Sequence, residues 1–442
     1  GISGRKPAFE RNRIVKRPNI LFITTDQQRW DCVGANGNPA ILTPGLDRLA
    51  AKGRRFTRGY TSAAACVPSR ATWITGQYPH THGAINTSGR HFLPPGTPTL
   101  MSRLSGAGYH TVGVGKMHFF PWNERWGFDF RVTGEGYDDD DYSRMLKEKG
   151  LFGQHIGHHT PGFGAACKAM PSPLHEDDHL DGWVGKRGVE MLSERMQEPF
   201  FLWVSFNGPH DPFDPPAPYD RMYRPEEMPP RVSAEGELDR LPASAKRSAS
   251  DYGIEHIDLT AIDDNRLARI RAYYYGNVSL IDRWVGELLD TLDRKGLAEN
   301  TLVVFTADHG DLLGDHRLFY KCYMPCEADM RVPLLARWPA RFRPGVCDAL
   351  TGSVNLMPTL LDAAGVPVPR ECQGHEQPPR RSQHRWPPCH EPIPPSYRKL
   401  SRINIPCSPA CVATRTRHST ARKRRQASVA CRRSACRCEV VL

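Results

Sequence analysis

Three short apolar runs, far apart along the chain, constrain the fold more than any other feature of the sequence. They cover residues 20–23, 200–206 and 302–305 and contain almost no polar side chains. Continuous apolar runs of this length are typical of strands that are buried on both faces of a parallel sheet. Such sheets occur almost only in α/β proteins, because helices must cover both faces. The sequence therefore predicts an α/β fold around a large, mostly parallel sheet.

Polar residues follow each predicted strand at once, including a further strand predicted at 109–115. In chain order these residues are Asp26, Lys116, His210 and the pair Asp308–His309. The carboxyl ends of parallel strands lie together at one edge of a sheet, and α/β proteins bind ligands at that edge. Four separate strands therefore predict one shared site.

A compact chemical motif occupies residues 66–76, Cys-Val-Pro-Ser-Arg-Ala-Thr-Trp-Ile-Thr-Gly. Pro68 favours the first turn of a helix, so Cys66 is expected at a helix N-terminus, where backbone N–H groups and the helix dipole favour an anion. Arg70 can bind an oxyanion through two N–H groups. A buried cysteine before an ordinary helix is the alternative, because free cysteine usually acts as a small hydrophobic residue. The motif favours a small-anion site with a reactive side chain.

Helical spacing of apolar residues accounts for much of the remaining chain. The clearest helix is predicted at 276–296, with Gly296 as its C-cap. Shorter helices are predicted to begin near Thr43 and to cover 99–107, 181–196 and 354–364. These helices are the expected covering layers of the sheet.

Several of these segments resemble one family. Residues 66–76 match the sulfatase signature Cys-x-Pro-Ser-Arg-x-x-x-Thr-Gly at every fixed position. The segment Gly115-Lys116-Met117-His118 resembles the family's Gly-Lys-x-His, and the turn at His210 resembles its Pro-His-x-Pro. Asp308–His309 resembles the second metal-binding segment, and Lys321 lies before a Glu-x-x-x-Arg-Val-Pro segment, as in the family. The chain is therefore similar to the type I, formylglycine-dependent sulfatases of the alkaline phosphatase superfamily.

The resemblance implies a three-layer sandwich and a distinct reaction. In the family a formylglycine-generating enzyme oxidises the signature cysteine, here Cys66, to formylglycine (3-oxoalanine). The aldehyde hydrates to a geminal diol. One hydroxyl attacks the sulfur of a sulfate ester, and the other expels the sulfate and restores the aldehyde. A small-molecule sulfate ester is the implied substrate.

The resemblance also assigns roles to individual residues. The metal ligands it implies are Asp26, Gln27, Asp308, His309 and an oxygen of the modified Cys66. Ca²⁺ is the expected ion, because oxygen ligands suit Ca²⁺ or Mg²⁺. The imidazole nitrogen leaves Mn²⁺ open, and glutamine in place of a second aspartate removes one negative charge.

Five basic residues complete the implied site. Arg70 and Lys116 would hold the diol, whereas Lys321 and His210 would face the sulfate, and either could protonate the leaving alkoxide. His118 would be the base that collapses the sulfate hemiester.

The amino-acid composition of the sequence changes after Gly374. Residues 371–442 contain 13 Arg and 2 Lys against 4 Glu, so the +11 net charge lies wholly there, and 7 of the 13 cysteines do too. We predict a catalytic domain at 1–374 and a disordered tail at 375–442, produced by a reading-frame change near His375 that replaced the small C-terminal subdomain usual in sulfatases. Nucleic-acid binding is disfavoured, because the basic cluster at 422–425 has almost no aromatic neighbours. Zinc binding is disfavoured too, because no paired Cys-x-x-Cys occurs.

The sequence leaves the compartment and the substrate open. It contains no apolar run long enough to span a membrane and no visible signal peptide, which leaves the cytoplasm or the periplasm. Aryl, choline-like and sugar sulfates all remain as substrates. Two further hypotheses are a phosphonate monoester or phosphodiester hydrolase with the same nucleophile, and an inactive, binding-only truncated homologue. Substrate choice is expected to reside in residues 130–180 and 212–262.

Overall fold

The computed structural model describes residues 16–87, 92–136, 138–157, 159–241, 258–321 and 325–375. Within them the strands are β1 (Asn19–Asp26), β2 (Arg54–Phe56), β3 (Gly59–Tyr60), β4 (His110–Gly115), β5 (Phe130–Thr133), β6 (Phe200–Pro209), β7 (Thr301–Ala307), β8 (Leu334–Arg337), β9 (Gly345–Cys347) and β10 (Thr351–Gly352). The helices are α1 (Pro44–Lys52), α2 (Cys66–Thr75), α3 (Pro79–His82), α4 (Leu100–Gly106), α5 (Asp141–Glu148), α6 (Leu180–Glu190), α7 (Glu237–Arg240), α8 (Asp264–Arg294), α9 (Glu327–Met330) and α10 (Leu356–Ala363).

Eight of the described strands form one sheet in the order β5-β4-β6-β1-β7-β8-β2-β9. The pairings from β5 to β7 are all parallel, β8 is antiparallel to both of its neighbours, and β9 is parallel to β2. The two short strands β3 and β10 pair separately. The predicted large, mostly parallel sheet is confirmed, and the continuous apolar runs form its central strands.

Helices cover both faces of the sheet, as the sequence predicts. On one face Leu21 and Ile23 of β1 share a buried cluster with α1, α6 and α8. On the other face Ile20 and Phe22 pack in a cluster with α2, α4 and α10. Alternate side chains of a strand point to opposite faces, so one fully apolar strand contributes to both cores. The result is the three-layer α/β sandwich that the resemblance implies.

The long helix α8 begins at Asp264, twelve residues before the predicted start. The side chain of Asp263 accepts a hydrogen bond from the backbone N–H of Arg266 and caps the helix. Leu267, Ile270 and Tyr274 are buried in the first turns and pack in a third apolar cluster. The prediction was wrong here because the polar and aromatic residues of these turns obscure the apolar period.

The last described residues, 371–375, bind to the C-terminal end of α2. The backbone N–H groups of Gln373 and Gly374 donate to the carbonyl of Gly76, and the Cys372 sulfur lies 3.6 Å from the carbonyl of Thr75. The proposed tail beyond 375, with its disorder, zinc and nucleic-acid hypotheses, lies outside the described residues. Among the helices of the described chain, none combines the length and apolar character needed to cross a membrane.

Candidate active site

The central strands deliver the polar residues to one edge of the sheet. β1 ends at Asp26, β4 at Gly115, β6 at Pro209 and β7 at Ala307. The register aligns these ends, because Asp26 pairs with Pro209 and Thr25 pairs with Ala307. Lys116, His210, Asp308 and His309 therefore start at the same edge, where the parallel topology predicts them.

Helix α2 brings Cys66 to this edge. Ala65 is extended, Cys66 is the first helical residue, and every residue of the helix is buried. The Cys66 sulfur lies 3.3 Å from His309 Nε2 and 3.5 Å from Asp26 Oδ1. The predicted placement of Cys66 at a helix N-terminus agrees with the structure.

Arg70, one turn further along α2, is fully buried among acceptors. Its Nε donates to Asp308 Oδ2 at 2.7 Å, and a terminal nitrogen lies 3.5 Å from Asp26 Oδ2. The other terminal nitrogen donates to the carbonyl of Lys116 and to Ser205 Oγ. In this structure the guanidinium binds two carboxylates, and its predicted contact with an oxyanion stays a prediction. Two buried negative charges side by side require a permanent cation between them.

Four side chains at the edge could hold a metal ion. One ligand atom each from Asp26, Cys66, Asp308 and His309 lies within 4.8 Å of the other three, and all four residues are buried. His309 Nδ1 donates to the carbonyl of Gly310 at 2.8 Å, so Nε2 is the ring nitrogen that faces the cluster and would bind an ion. The Cys66 sulfur stands where an oxygen of a converted side chain would lie. Carboxylate oxygens with one imidazole nitrogen fit a divalent cation.

Gln27, the fifth predicted ligand, takes a left-handed backbone conformation with φ of 66° just after β1. Its backbone N–H donates to Asp308 Oδ1 at 3.0 Å. Its amide donates to Asp311 Oδ2 at 2.6 Å and accepts from Lys321 Nζ at 3.0 Å. The amide oxygen is thus held between the carboxylate cluster and Lys321.

Cationic groups dominate the electrostatics of the two charged centres. Burial opposes ionisation of Asp26, but Lys116, at 2.8 Å, and nearby His210 and Arg70 keep its pKa well below the usual range. Burial also opposes ionisation of the Cys66 thiol, but Lys321 and His309 bring its pKa well below the usual value. The site is therefore built to hold negative charge at both positions.

The remaining predicted residues lie around the Cys66 sulfur. Lys321 Nζ is 3.3 Å from the sulfur and 3.0 Å from His210 Nε2. His118, with φ of 58°, lies near enough to the sulfur to help lower the pKa of the Cys66 thiol. The structure therefore brings all ten predicted residues into one connected network, whereas their catalytic roles remain predictions.

Three further residues support this network, and sequence reasoning missed them. Glu135 accepts the backbone N–H groups of Met117 and His118 at 3.0 and 2.9 Å. Asp311 binds Gln27, and Asp181 accepts the N–H groups of the turn before His210. Glu135 and Asp311 each lie a few residues beyond a strand end, so their position was a usable signal.

Comparison with known proteins places the chain in one family. The sulfatase family model matches residues 18–366. An arylsulfatase of Clostridium perfringens (strain 13 / Type A) is 33% identical over 385 residues, which cover 81% of this chain and 77% of the arylsulfatase. A choline-sulfatase of Rhizobium meliloti (strain 1021) is 31% identical over 359 residues, which cover 79% and 68% of the two chains. A phosphonate monoester hydrolase of Agrobacterium radiobacter superposes with a TM-score of 0.68 at 27% identity, covering 79% of this chain and 74% of the other.

The fold and site thus define a three-layer α/β protein with a buried cluster that could bind a metal ion. The chain belongs to the sulfatase family and is a sulfatase-type enzyme.

Proposed function

We propose that the protein hydrolyses sulfate monoesters through a formylglycine hydrate derived from Cys66. One observation supports this most strongly. The side chain of Cys66, at the start of a buried helix, lies 3.3 Å from His309 on one side and 3.3 Å from Lys321 on the other. A nucleophile at this point would have the ligand cluster behind it and proton donors in front of it. A formylglycine-generating enzyme is the partner that maturation requires.

The divalent cation, Ca²⁺ in this proposal, would be held by Asp26, Gln27, Asp308 and His309 together with the converted side chain. When bound, it would withdraw charge from the sulfate oxygens and lower the pKa of the nucleophile. Mg²⁺ and Mn²⁺ are the competing ions, because the ligand set mixes oxygen with one nitrogen.

The chain's own residues would carry the protons. A hydroxyl of the hydrate loses its proton to solvent and its oxygen bonds to sulfur; the bond from sulfur to the ester oxygen breaks, and Lys321 or His210 protonates the departing alkoxide. His118 then removes the proton of the second hydroxyl, the carbon–oxygen bond to sulfate breaks, and the aldehyde returns. Water restores the hydrate. Arg70 and Lys116 keep the carboxylates ionised throughout.

A second candidate is hydrolysis of phosphonate monoesters or phosphodiesters with the same nucleophile. It is supported by the similarity to the Agrobacterium radiobacter phosphonate monoester hydrolase and by Gln27, which gives the cluster one charge less than a second aspartate would. A panel of matched 4-nitrophenyl sulfate and phosphonate esters separates the candidates by their ratio of kcat/KM.

The first test is the mass of the tryptic peptide 59–70 from protein co-expressed with a formylglycine-generating enzyme. We expect an aldehyde in place of the thiol of Cys66, followed by turnover of the sulfate ester. An unmodified thiol, from a maturing enzyme that converts a control peptide, would contradict the proposal and favour an inactive homologue that only binds its ligand.

A further inference from the structure

The ring of His210 is fixed by acceptors that all belong to the next residue. His210 Nδ1 lies 2.7 Å from the carbonyl oxygen of Asp211 and 3.4 Å from Asp211 Oδ1. Because both neighbours are acceptors, Nδ1 carries the hydrogen and Nε2 is left to accept from Lys321 Nζ at 3.0 Å. The backbone carbonyl of Asp211 therefore sets the orientation of the ring, and its carboxylate, which makes no hydrogen bond through Oδ1 within the described part of the chain, acts on the ring and on nearby Lys321 through its charge.

Asp211 is itself held by a buried cation. Lys168 Nζ lies 2.5 Å from Asp211 Oδ2, and both side chains are only 7% exposed. Burial opposes ionisation of Asp211, but His210 and Lys168 lower its pKa to about 2. The carboxylate is therefore charged at neutral pH, and removing Lys168 would leave a buried charge without its ion-pair partner.

Lys168 also contacts the segment that carries Lys321. Its Nζ lies 4.5 Å from the centre of the Tyr320 ring, and Tyr320 directly precedes Lys321. Its backbone is fixed by hydrogen bonds with Phe163 and Phe213. A non-glycine residue in the left-handed region, with φ of 58° at Lys168, is held there by its surroundings. One side chain thus links the loop around 163–172 to the segments that carry His210 and Lys321.

We propose that Lys168 and Asp211 are positioning residues that hold His210 and Lys321 in line for proton transfer to the leaving alkoxide. This inference rests on the proposed function and deepens it. Neither residue gives or takes a proton: His210 Nε2 accepts from Lys321, so the proton passes from Lys321 to the ester oxygen as its bond to sulfur breaks. The loop around 163–172 thereby contributes to catalysis as well as to the shape of the site.

Leaving-group dependence tests the proposal on the matured enzyme. The variants are Asp211→Asn and Lys168→Met, and the substrates are 4-nitrophenyl sulfate, with a good leaving group, and phenyl sulfate, with a poor one. Misplaced proton donors matter most for the poor leaving group, so we expect kcat for phenyl sulfate to fall about 100-fold and kcat for 4-nitrophenyl sulfate to fall less than about 3-fold. KM should stay within about 2-fold, and the double variant should be no worse than the singles.

The chain offers a control in the ion pair Arg187–Glu190 of α6, which is more exposed and lies outside the two segments expected to set substrate choice. Arg187→Met and Glu190→Gln should leave the ratio of the two kcat values unchanged. Lys168→Arg keeps the positive charge, so its ratio of the two kcat values should match that of the wild type. This comparison needs no variant of Asp211, so it remains decisive if Asp211→Asn does not fold. Equal losses on both substrates would overturn the inference while leaving the sulfatase proposal intact. A matured wild type that cleaves neither ester, nor any other sulfate, would overturn the proposed function first.

Discussion

Arg70 balances the charge of the site at the scale of single residues. It lies between the carboxylates of Asp26 and Asp308, and its other donors bind the carbonyl of Lys116 and the hydroxyl of Ser205. A buried guanidinium with every partner in place holds the strand ends in register as well as neutralising them. The family signature places an arginine here, but its partners come from other strands.

We expect Arg70→Met to destabilise the fold by roughly 3–5 kcal/mol, because two buried carboxylates lose their shared cation. Urea unfolding of the unmatured protein measures this effect without any contribution from catalysis. Arg103→Met is the control, since its partner Glu371 is 55% exposed and such pairs contribute about 1 kcal/mol or less. Similar unfolding midpoints for both variants would contradict this account of Arg70.

Glu135 belongs to the same scale. Its two oxygens accept the N–H groups of Met117 and His118, and Arg131 binds it from the side at 2.6 Å. We expect Glu135→Gln to lower kcat about 10- to 100-fold, because Glu135 holds the backbone turn that positions His118 and losses of this size are usual for residues that orient a functional group. Steady-state kinetics of the matured protein measure this. The control is Glu327→Gln, at a side chain that is 68% exposed, which should keep wild-type kcat. A fully active Glu135→Gln would show that the turn at Met117 and His118 needs no support from Glu135.

At the scale of elements, the packing of α6 against α8 supports the strand ends. Gly185 of α6 faces Trp284 of α8 so closely that an added Cβ would lie 2.2 Å from Trp284 Cγ. The absence of a side chain at Gly185 therefore sets how near the two helices approach. This contact holds α6, whose Asp181 binds the turn before His210.

Two alanine variants test this packing with the same chemical change. Gly185→Ala should destabilise by about 1–3 kcal/mol, because a rigid indole and its helix must move. Gly286→Ala in α8, where an added Cβ meets nothing within 4 Å, should stabilise by about 0.5–1 kcal/mol. Thermal unfolding measures both effects, as a lower unfolding temperature for Gly185→Ala and a higher one for Gly286→Ala. Changes in the same direction for both variants would refute the proposed contact.

At the scale of the whole molecule, negatively and positively charged side chains meet at the edge of the sheet where the central strands end. Burial, together with repulsion from Asp26, raises the pKa of Asp308. A bound divalent cation would relieve this repulsion. Binding to the folded state alone stabilises it by mass action, about 2.7 kcal/mol at one hundred times Kd.

Addition of Ca²⁺ to chelator-treated protein should therefore raise the unfolding temperature. Asp308→Asn should abolish the increase, whereas Asp348→Asn, outside the cluster, should retain it. Repeating the titration with Mn²⁺ and Mg²⁺ ranks the ions by the size of the increase. A wild type whose unfolding temperature ignores all three ions would argue against the proposed metal site.

The sequence by itself determined the fold class, the sheet and the residues at its edge. Short, continuous apolar runs are typical of central parallel strands, so the positions of Asp26 and Asp308 at strand ends followed from them. The start of α2 at Cys66 followed from local chemistry, because Pro68 and the signature act within one turn. These features depend on residues that are close together in the sequence, so local sequence patterns predict them.

Only the tertiary structure decided which groups meet. The partners of Arg70, the support from Glu135 and the approach of Lys168 to Asp211 join residues that lie tens to hundreds of positions apart. The first turns of α8 likewise pack against a distant segment, where Tyr274 contacts Phe213. Burial and register over such distances are set by the pairing of strands and the approach of helices, and no local period in the sequence encodes them.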